Sequence, residues 1–528
     1  MDTSTQLAPI QTRNRIQRIG LIFGVFVFAI ILCGPALPGM DAHAARQLGL
    51  AVDHPDVVSV AYSAKATLAL TALMVIWWVT EAAPFPVTAL LPGLMLPILQ
   101  VTGMDEGQTY DFTNKIAYSA YASPVIYLFL AGFLLAAAMQ KSGLDRRITL
   151  TFLTWKRSAQ GPAMLLLVMM ATTAFLSMWI SNTATAAMML PIAVSVLHAL
   201  GEKPGQSRLG SAMLLGIAWA ASIGGIGTLI GSPPNGIVEG ILADKNVVQI
   251  DFLGWMAFGM PVAFFGLIAA WAVLLLLFRP SITDTSRATE ALAEQKRSLG
   301  GWSIDEKMTV TIFALVATLW VTQPLGEYVL PSGWVDAVAG IGVHEIGLGC
   351  ALLLFLIPVE SDTWRSVLQW KDSHRVDWGT LVLFGGGIAL SRAMFGTGLT
   401  DWLANGFIDS MGAASPWVCF IAVVLLIDFL TEITSNTAVT TMMSPILISL
   451  APGLHLDPIV LCVGAAMASS MAFMLPVATP PNALVYATGY FRIGQMIKAG
   501  FVMNIIGCAI LVAVTYVLAG NVLPLLSP

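Results

Sequence analysis

Residues Phe175 to Ile192 read FLSMWISNTATAAMMLPI, and residues Phe429 to Ile446 read FLTEITSNTAVTTMMSPI. The two stretches align without a gap at an offset of 254 and are identical at 10 of 18 positions. Each sets Ser-Asn-Thr near the middle of an apolar segment, about 162 to 200 and about 416 to 451. Both segments exceed the roughly 20 residues that one bilayer span needs. Each therefore reads as a helical hairpin with its polar triplet at the tip. A turn held inside protein is favoured, because irregular backbone at membrane depth is tolerated there. Both flanks of a hairpin lie on one side of the membrane, whether its tip stops halfway or crosses.

The duplication extends outward from these tips. Phe129, Gly132, Gly143 and Leu144 match Phe384, Gly387, Gly398 and Leu399, and Trp78-Val79-Thr80 matches Trp320-Val321-Thr322. Downstream, Gly231-Ser232-Pro233-Pro234-Asn235 matches Ala478-Thr479-Pro480-Pro481-Asn482. Landmarks repeated in one order divide the chain into a first repeat, 61–280, and a second, 308–528. Residues 1–60 read as a cytoplasmic N-terminus, a first span and an external loop, and 281–307 as a cytoplasmic linker. The run Leu21 to Leu37, preceded by Arg13, Arg15 and Arg18, is long for a signal-peptide core and reads as that first span. Further apolar segments run about 66–80, 84–101, 123–140, 209–241, 257–278, 308–325, 343–359, 378–396, 458–488 and 499–520.

The expected fold is an all-α polytopic membrane protein. Counting each hairpin as an even crossing gives eleven transmembrane helices plus two re-entrant hairpins, with the N-terminus cytoplasmic and the C-terminus external. In that arrangement all but five of the 25 Lys and Arg residues fall inside, the exceptions being Arg46, Lys65, Lys115, Lys245 and Arg392. This is a strong positive-inside bias. Five spans and a hairpin per repeat insert the second copy upside down. Inverted-repeat transporters place substrate near the midplane, where broken helices of the two halves meet.

Composition narrows the function classes. The chain is 57% hydrophobic and 10% charged, far from the roughly 25% charged residues of soluble domains. A net charge of −5 spread over short loops leaves no basic patch for nucleic acid. Cys33, Cys350, Cys419, Cys462 and Cys508 stand singly in apolar stretches and read as small buried residues. His198, His344, His374 and His455 sit near segment ends and read as interfacial. An enzyme would need a base, metal cluster or nucleophile pair converging on one site, and the polar convergence here is neutral. The chain is expected not to be an enzyme.

Pro233-Pro234 and Pro480-Pro481 fall inside the long segments 209–241 and 458–488. A helix through a Pro-Pro pair loses two donors and clashes with its preceding turn, so each segment is expected to break there. Gly224, Gly225, Gly227 and Gly231 weaken the first further. Freed carbonyls suit a hard cation, and half-helix N-termini suit carboxylate oxygens. The asparagine of each tip can face sodium with its oxygen and a carboxylate with its NH2. With no Lys or Arg in either block, a bound dianion needs compensation that co-bound sodium supplies. Glu81, Glu345, Asp428 and Glu432 lie in or beside apolar segments and are functional candidates. The first-repeat counterparts of Asp428 and Glu432 are Ala174 and Met178, so these acids stand outside any symmetric site. Structural pairing with a residue such as Arg392 and a proton relay both stay open.

Paired Ser-Asn-Thr tips and paired Ser/Thr-Pro-Pro-Asn breaks resemble those of the divalent anion/sodium symporter family, in particular the bacterial sodium/dicarboxylate cotransporters. The resemblance covers roughly residues 60 to 525. It implies a homodimer in the bacterial inner membrane whose transport domain moves elevator-fashion against a scaffold. It implies sodium-coupled uptake of C4-dicarboxylates such as succinate, fumarate and malate, with a dicarboxylate exchanger or a sulfate or other divalent-anion transporter as the alternative. Carried over by motif, the first sodium site uses Ser177, Ser181, Asn182 and Gly231, and the second Thr431, Thr434, Asn436 and Ala478. Substrate carboxylates would meet Asn182, Thr183, Ser232, Asn436, Thr437, Thr479 and Pro480. Sodium is the co-transported ion and the only cofactor implied.

Overall fold

A computed structural model describes residues 15–155, 160–323, 341–360, 362–411 and 415–519. The expectations at Arg13, Lys156, Arg157 and residues 324–325, and those for the chain beyond 519, lie outside them. Among the described residues, eight helices are long and apolar enough to cross a membrane, and shorter apolar helices accompany them. The chain is an all-helical polytopic membrane protein. Two small antiparallel ribbons add to the helices: Thr102–Asp105 with Gln108–Asp111, and Pro358–Glu360 with Arg365–Ser366.

One apolar segment differs from its sequence reading. Residues 84–101 are not one span but two short helices, Phe85–Ala89 and Leu91–Ile98, meeting at Leu90. Pro86, Pro92 and Pro97 deprive this stretch of donors, so an apolar run that is long enough cannot be one continuous helix. The next segment upstream is longer than its apolar core suggests. It runs Pro55–Val79, with the His54 ring accepting from the Asp56 N–H at its start. Four helices are too polar to register as apolar runs: Met40–Leu48, Leu144–Leu153, Ser286–Ser298 and Leu399–Met411.

The chain folds into two compact units, Met1–Ala117 with Arg392–Leu399, and Tyr118–Ser391 with Thr400–Pro528. In the first, helix Arg15–Cys33 packs along Pro55–Val79. Gly20 and Gly24 lie against Thr80 and Trp77, and the Trp77 Nε1 donates to the Leu21 carbonyl at 3.3 Å. Lys65 reaches the Gly34 carbonyl at 2.8 Å, which gives this amine a partner among apolar helices.

The second unit holds both signature blocks. Helices Pro162–Ser177 and Asn182–Ala199 form the first hairpin, and Pro416–Thr431 and Asn436–Gly453 the second. Helices Arg208–Ile226 and Pro233–Asp244 flank the first break, and Pro458–Ser469 and Pro480–Tyr486 the second. Proline opens five of these eight helices, in the first turn where its missing N–H has no intrahelical partner to lose. Packing across the site is crosswise. Helix 233–244 of the first break lies on 436–453 of the second hairpin, and 480–486 lies on 182–199. Gly224 permits close backbone approach inside the first half, because a Cβ there would run into the backbone of Ala174.

Outside the site, a buried arginine ties the inter-repeat linker down. Arg147 donates to Glu306 at 2.6 Å and to the carbonyls of Gly300 and Gly301 at 3.1 and 3.0 Å. Glu306 also completes a capping box with Ser303 that starts helix Ile304–Thr322. Helix Ser286–Ser298 reaches the first hairpin through Gln295, which donates to Ser195 at 2.9 Å.

Candidate functional site

Each hairpin tip builds a knot of oxygens. In the first half, Ser177 Oγ is fully buried and lies 2.7 Å from Asn182 Oδ1 and 2.7 Å from the Ala221 carbonyl. In the second, Thr431 Oγ1 lies 2.6 Å from Asn436 Oδ1 and 2.8 Å from the Ser469 carbonyl. A hydroxyl has one proton, so it can donate to only one of its two acceptors. Each half thus gathers three oxygens with one donor between them. Such a donor set suits a cation that prefers oxygen ligands.

The breaks are held open by their asparagines. Asn235 Nδ2 donates to the carbonyls of Gly225 and Thr228 at 2.9 and 2.7 Å. Asn482 Nδ2 donates to those of Ala472 and Leu475 at 3.0 and 3.1 Å. The unwound loops are therefore specified shapes, with their carbonyls satisfied by a side chain ten and seven residues on. The first tip packs directly on Gly225. A Cβ placed there would lie 2.6 Å from Asn182 Oδ1 and 3.1 Å from the Gly231 carbonyl. Two of the proposed first-site ligands thus approach Gly225 more closely than a methyl group would allow.

The remaining sequence-predicted residues fall around this frame. Ser181 caps helix 182–199 by accepting from the Ala184 N–H, and Thr479 caps 480–486 by accepting from the Asn482 N–H. Ser232 stands at the N-terminus of 233–244, and its Oγ lies 3.5 Å from Ser470 Oγ of the other half. Thr434 and Ala478 are buried, and Thr434 Oγ1 lacks a hydrogen-bond partner among the described residues. Thr183 and Pro480 are exposed, and Thr437 is half-buried. The helices starting at Asn182 and Asn436 point their first turns at these loops, the arrangement that favours an anion, whereas the Pro-Pro pairs leave helices 233–244 and 480–486 without N–H groups at their first two positions.

The model for the sodium:sulfate symporter transmembrane region matches residues 44–525. The chain belongs to the sodium:sulfate symporter family. It is 34% identical over 465 residues to the sodium-dependent dicarboxylate transporter SdcS of Staphylococcus saprophyticus, covering 86% of each chain. It is 34% identical over 458 residues to SdcS of Staphylococcus aureus, covering 85% of each. Among solved structures it resembles the YdaH transporter of Alcanivorax borkumensis, with a TM-score of 0.53, 15% identity and coverage of 85% of this chain and 98% of that one. MtrF of Neisseria gonorrhoeae gives a TM-score of 0.53 at 15% identity, covering 84% and 94%. These two likenesses concern the fold. This is a family of transporters, not of enzymes.

The acids in or beside the apolar segments separate into two kinds. Glu81 and Glu345 are exposed at helix ends, Glu81 in a left-handed turn after Val79. Asp428 and Glu432 are buried in the second hairpin. Glu432 accepts from the backbone N–H groups of Phe473, Met474 and Leu475 at 2.7, 2.8 and 3.1 Å, and from Asn504 Nδ2 at 2.9 Å. The carboxylate thus cradles the loop of the second break. In the first half, Met178 occupies the matching position, and its carbonyl accepts from Thr228 Oγ1. Sequence reading named Glu432 without its role. It missed Asn504, the close approach at Gly225, the Ser470 contact, and Glu239, which is buried on helix 233–244. The duplicated Pro-Pro-Asn was the available signal for Asn235 and Asn482. No motif marks the others. Of the cysteines, four are buried and Cys33 is exposed.

Proposed function

We propose that this protein is a secondary active transporter that carries C4-dicarboxylates such as succinate, fumarate and malate into the cell together with sodium. The observation that carries this reading is the repeated oxygen knot: a buried hydroxyl, a tip asparagine and a loop carbonyl, once per half. One sodium ion sits at Ser177, Ser181, Asn182 and Gly231, and a second at Thr431, Thr434, Asn436 and Ala478. The substrate lies between them. Its carboxylates meet the amides and hydroxyls of Asn182, Thr183, Ser232, Asn436, Thr437 and Thr479 and the helix start at Pro480. The cations supply the positive charge that the side chains lack, which is why a dianion binds only with sodium. The relatives at 34% identity are sodium-dependent dicarboxylate transporters, which supports dicarboxylate over sulfate as the anion.

The architecture that fits this reading is an inverted repeat of eleven transmembrane helices and two re-entrant hairpins. The first repeat is 61–280, the second 308–528, with 281–307 as a cytoplasmic linker. The N-terminus is cytoplasmic, the C-terminus is external, and the site travels elevator-fashion within a homodimer in the bacterial inner membrane. The test is uptake of labelled succinate into proteoliposomes with no internal anion. Uptake with external sodium and not with potassium supports symport. Uptake that ignores sodium but requires internal dicarboxylate establishes exchange instead.

A further inference from the structure

Asp428 is completely buried on helix 416–431, and neither of its carboxyl oxygens has a hydrogen-bond partner among the described residues. The side chains that face it are Asn504 and Cys508 of helix Ile493–Ala519. Asn504 is also completely buried. Its Nδ2 donates to Glu432 at 2.9 Å, and its Oδ1 has no donor among the described residues. Asp428 and Glu432 therefore stand one helical turn apart with unequal surroundings. Glu432 has four donors and can remain a carboxylate. An ionised Asp428 would add a second negative charge beside it, with only the shared Asn504 amide and the weakly donating Cys508 thiol to face it.

One proton removes both deficits, because a carboxylic acid provides the O–H that Asn504 Oδ1 lacks. A metal ion answers less well. The other carboxylate beside it, Glu432, already accepts four hydrogen bonds, and the neighbouring Val424 and Ile427 are apolar. We infer that Asp428 and Asn504 form a proton-binding site, in which protonated Asp428 donates to Asn504 Oδ1 and so joins helix 416–431 to 493–519 behind the second tip.

Other titratable groups leave this assignment intact. Helix 436–453 carries none. On 458–469, Cys462 points to the Ser444 carbonyl. On 493–519, Tyr516 packs on Trp417 at the far end of the hairpin arm, and Lys498 lies nearly two turns before Asn504. Glu432 and Cys508 are the titratable groups that face Asp428.

The first readout does not depend on transport. Infrared spectra of the full-length protein in nanodiscs at neutral pH should show a protonated-carboxyl band that is lost in Asp428→Asn and shifted in Asn504→Leu. The second is the pH profile of succinate uptake over the range where succinate is fully ionised. Wild-type uptake should fall several-fold toward alkaline pH, and Asp428→Asn, which mimics the protonated form, should stay flat. Identical protonated-carboxyl bands in wild type and Asp428→Asn would overturn the site. So would a sodium-sensitive carboxylate band assigned to Asp428, which would make the occupant a metal ion. Should Asp428→Asn fail to fold, an unshifted band in folded Asn504→Leu is equally fatal.

Discussion

The two halves of the site share their oxygens and differ in what holds them. Ser177 and Thr431 make the same pair of contacts, to a tip amide and to a carbonyl in the helix that leads into the break. Behind that match, the first break is short, from Gly227 to Ser232, and is packed through glycines. The second is longer, from Ser470 to Thr479, and is held by the Glu432 carboxylate. Duplication has kept the groups proposed to touch ions and substrate, while the support behind them has diverged. Close approach of backbone shapes one half, and a buried charge shapes the other.

The largest effect is expected where the halves are alike. Asn182→Asp or Asn436→Asp keeps an oxygen for sodium but turns an amide donor into a negative charge facing the substrate dianion. Like charges brought together cost several kcal/mol, so succinate uptake should fall about a hundredfold or more in either variant, with folding judged by size-exclusion profile. Wild-type affinity in a folded variant of either residue would remove that half from the substrate site.

Next come substitutions that should act on one half only. Gly225→Ala puts a methyl group where Asn182 and Gly231 pack. Overpacking of about 1–3 kcal/mol corresponds to a sodium requirement raised between about 5-fold and about 150-fold. The aligned residue of the second half is already Ala472, so its enlargement to Val is the matched control for crowding that does not enter the first cradle. Glu432→Gln should lower thermal stability in detergent, since hydrogen bonds to a charged group contribute about 1.5–3 kcal/mol. Met178→Leu, at the matching place in the first half, should change stability by less than about 1.5 kcal/mol. Equal losses from both would contradict the division of labour.

The smallest effect concerns an ion pair away from both tips. Burial raises the Asp372 carboxyl, but Lys141 at 2.6 Å and the Gln369 N–H hold it, on balance, below its ordinary value. A carboxyl depressed in the folded state stabilises above its unfolded pKa, and that stability is lost as pH falls through the folded value. Asp372→Asn should therefore be less stable than wild type at neutral pH, by about 1 kcal/mol. The gap should close as the pH drops below about 3.9. Sodium activation of uptake should not move, which separates this contact from the half-sites.

How much of this could be read beforehand follows from where each feature's cause lies. The tips and breaks were legible because a polar triplet or a Pro-Pro pair inside an apolar run has few structural solutions, and each occurs twice. Span 84–101 misled because hydropathy counts apolar residues without asking which of them can donate, and prolines cannot. The amphipathic helices were invisible to an apolar-run search for the opposite reason. Gly225, Asn504 and Ser470 depend on which loop packs against which helix, a fact of the tertiary fold that no local pattern encodes. Glu432 was conspicuous in sequence, but its partners are backbone N–H groups some forty residues away, and backbone leaves no signature in composition.

The most direct test is the sodium activation curve of succinate uptake in wild-type proteoliposomes, with potassium as the replacing ion. Two sodium sites flanking one dianion require a sigmoidal curve whose steepness rises toward about two, with no uptake in potassium alone. Full uptake in potassium would contradict a sodium-compensated site, and a hyperbolic sodium curve would contradict two cooperating halves.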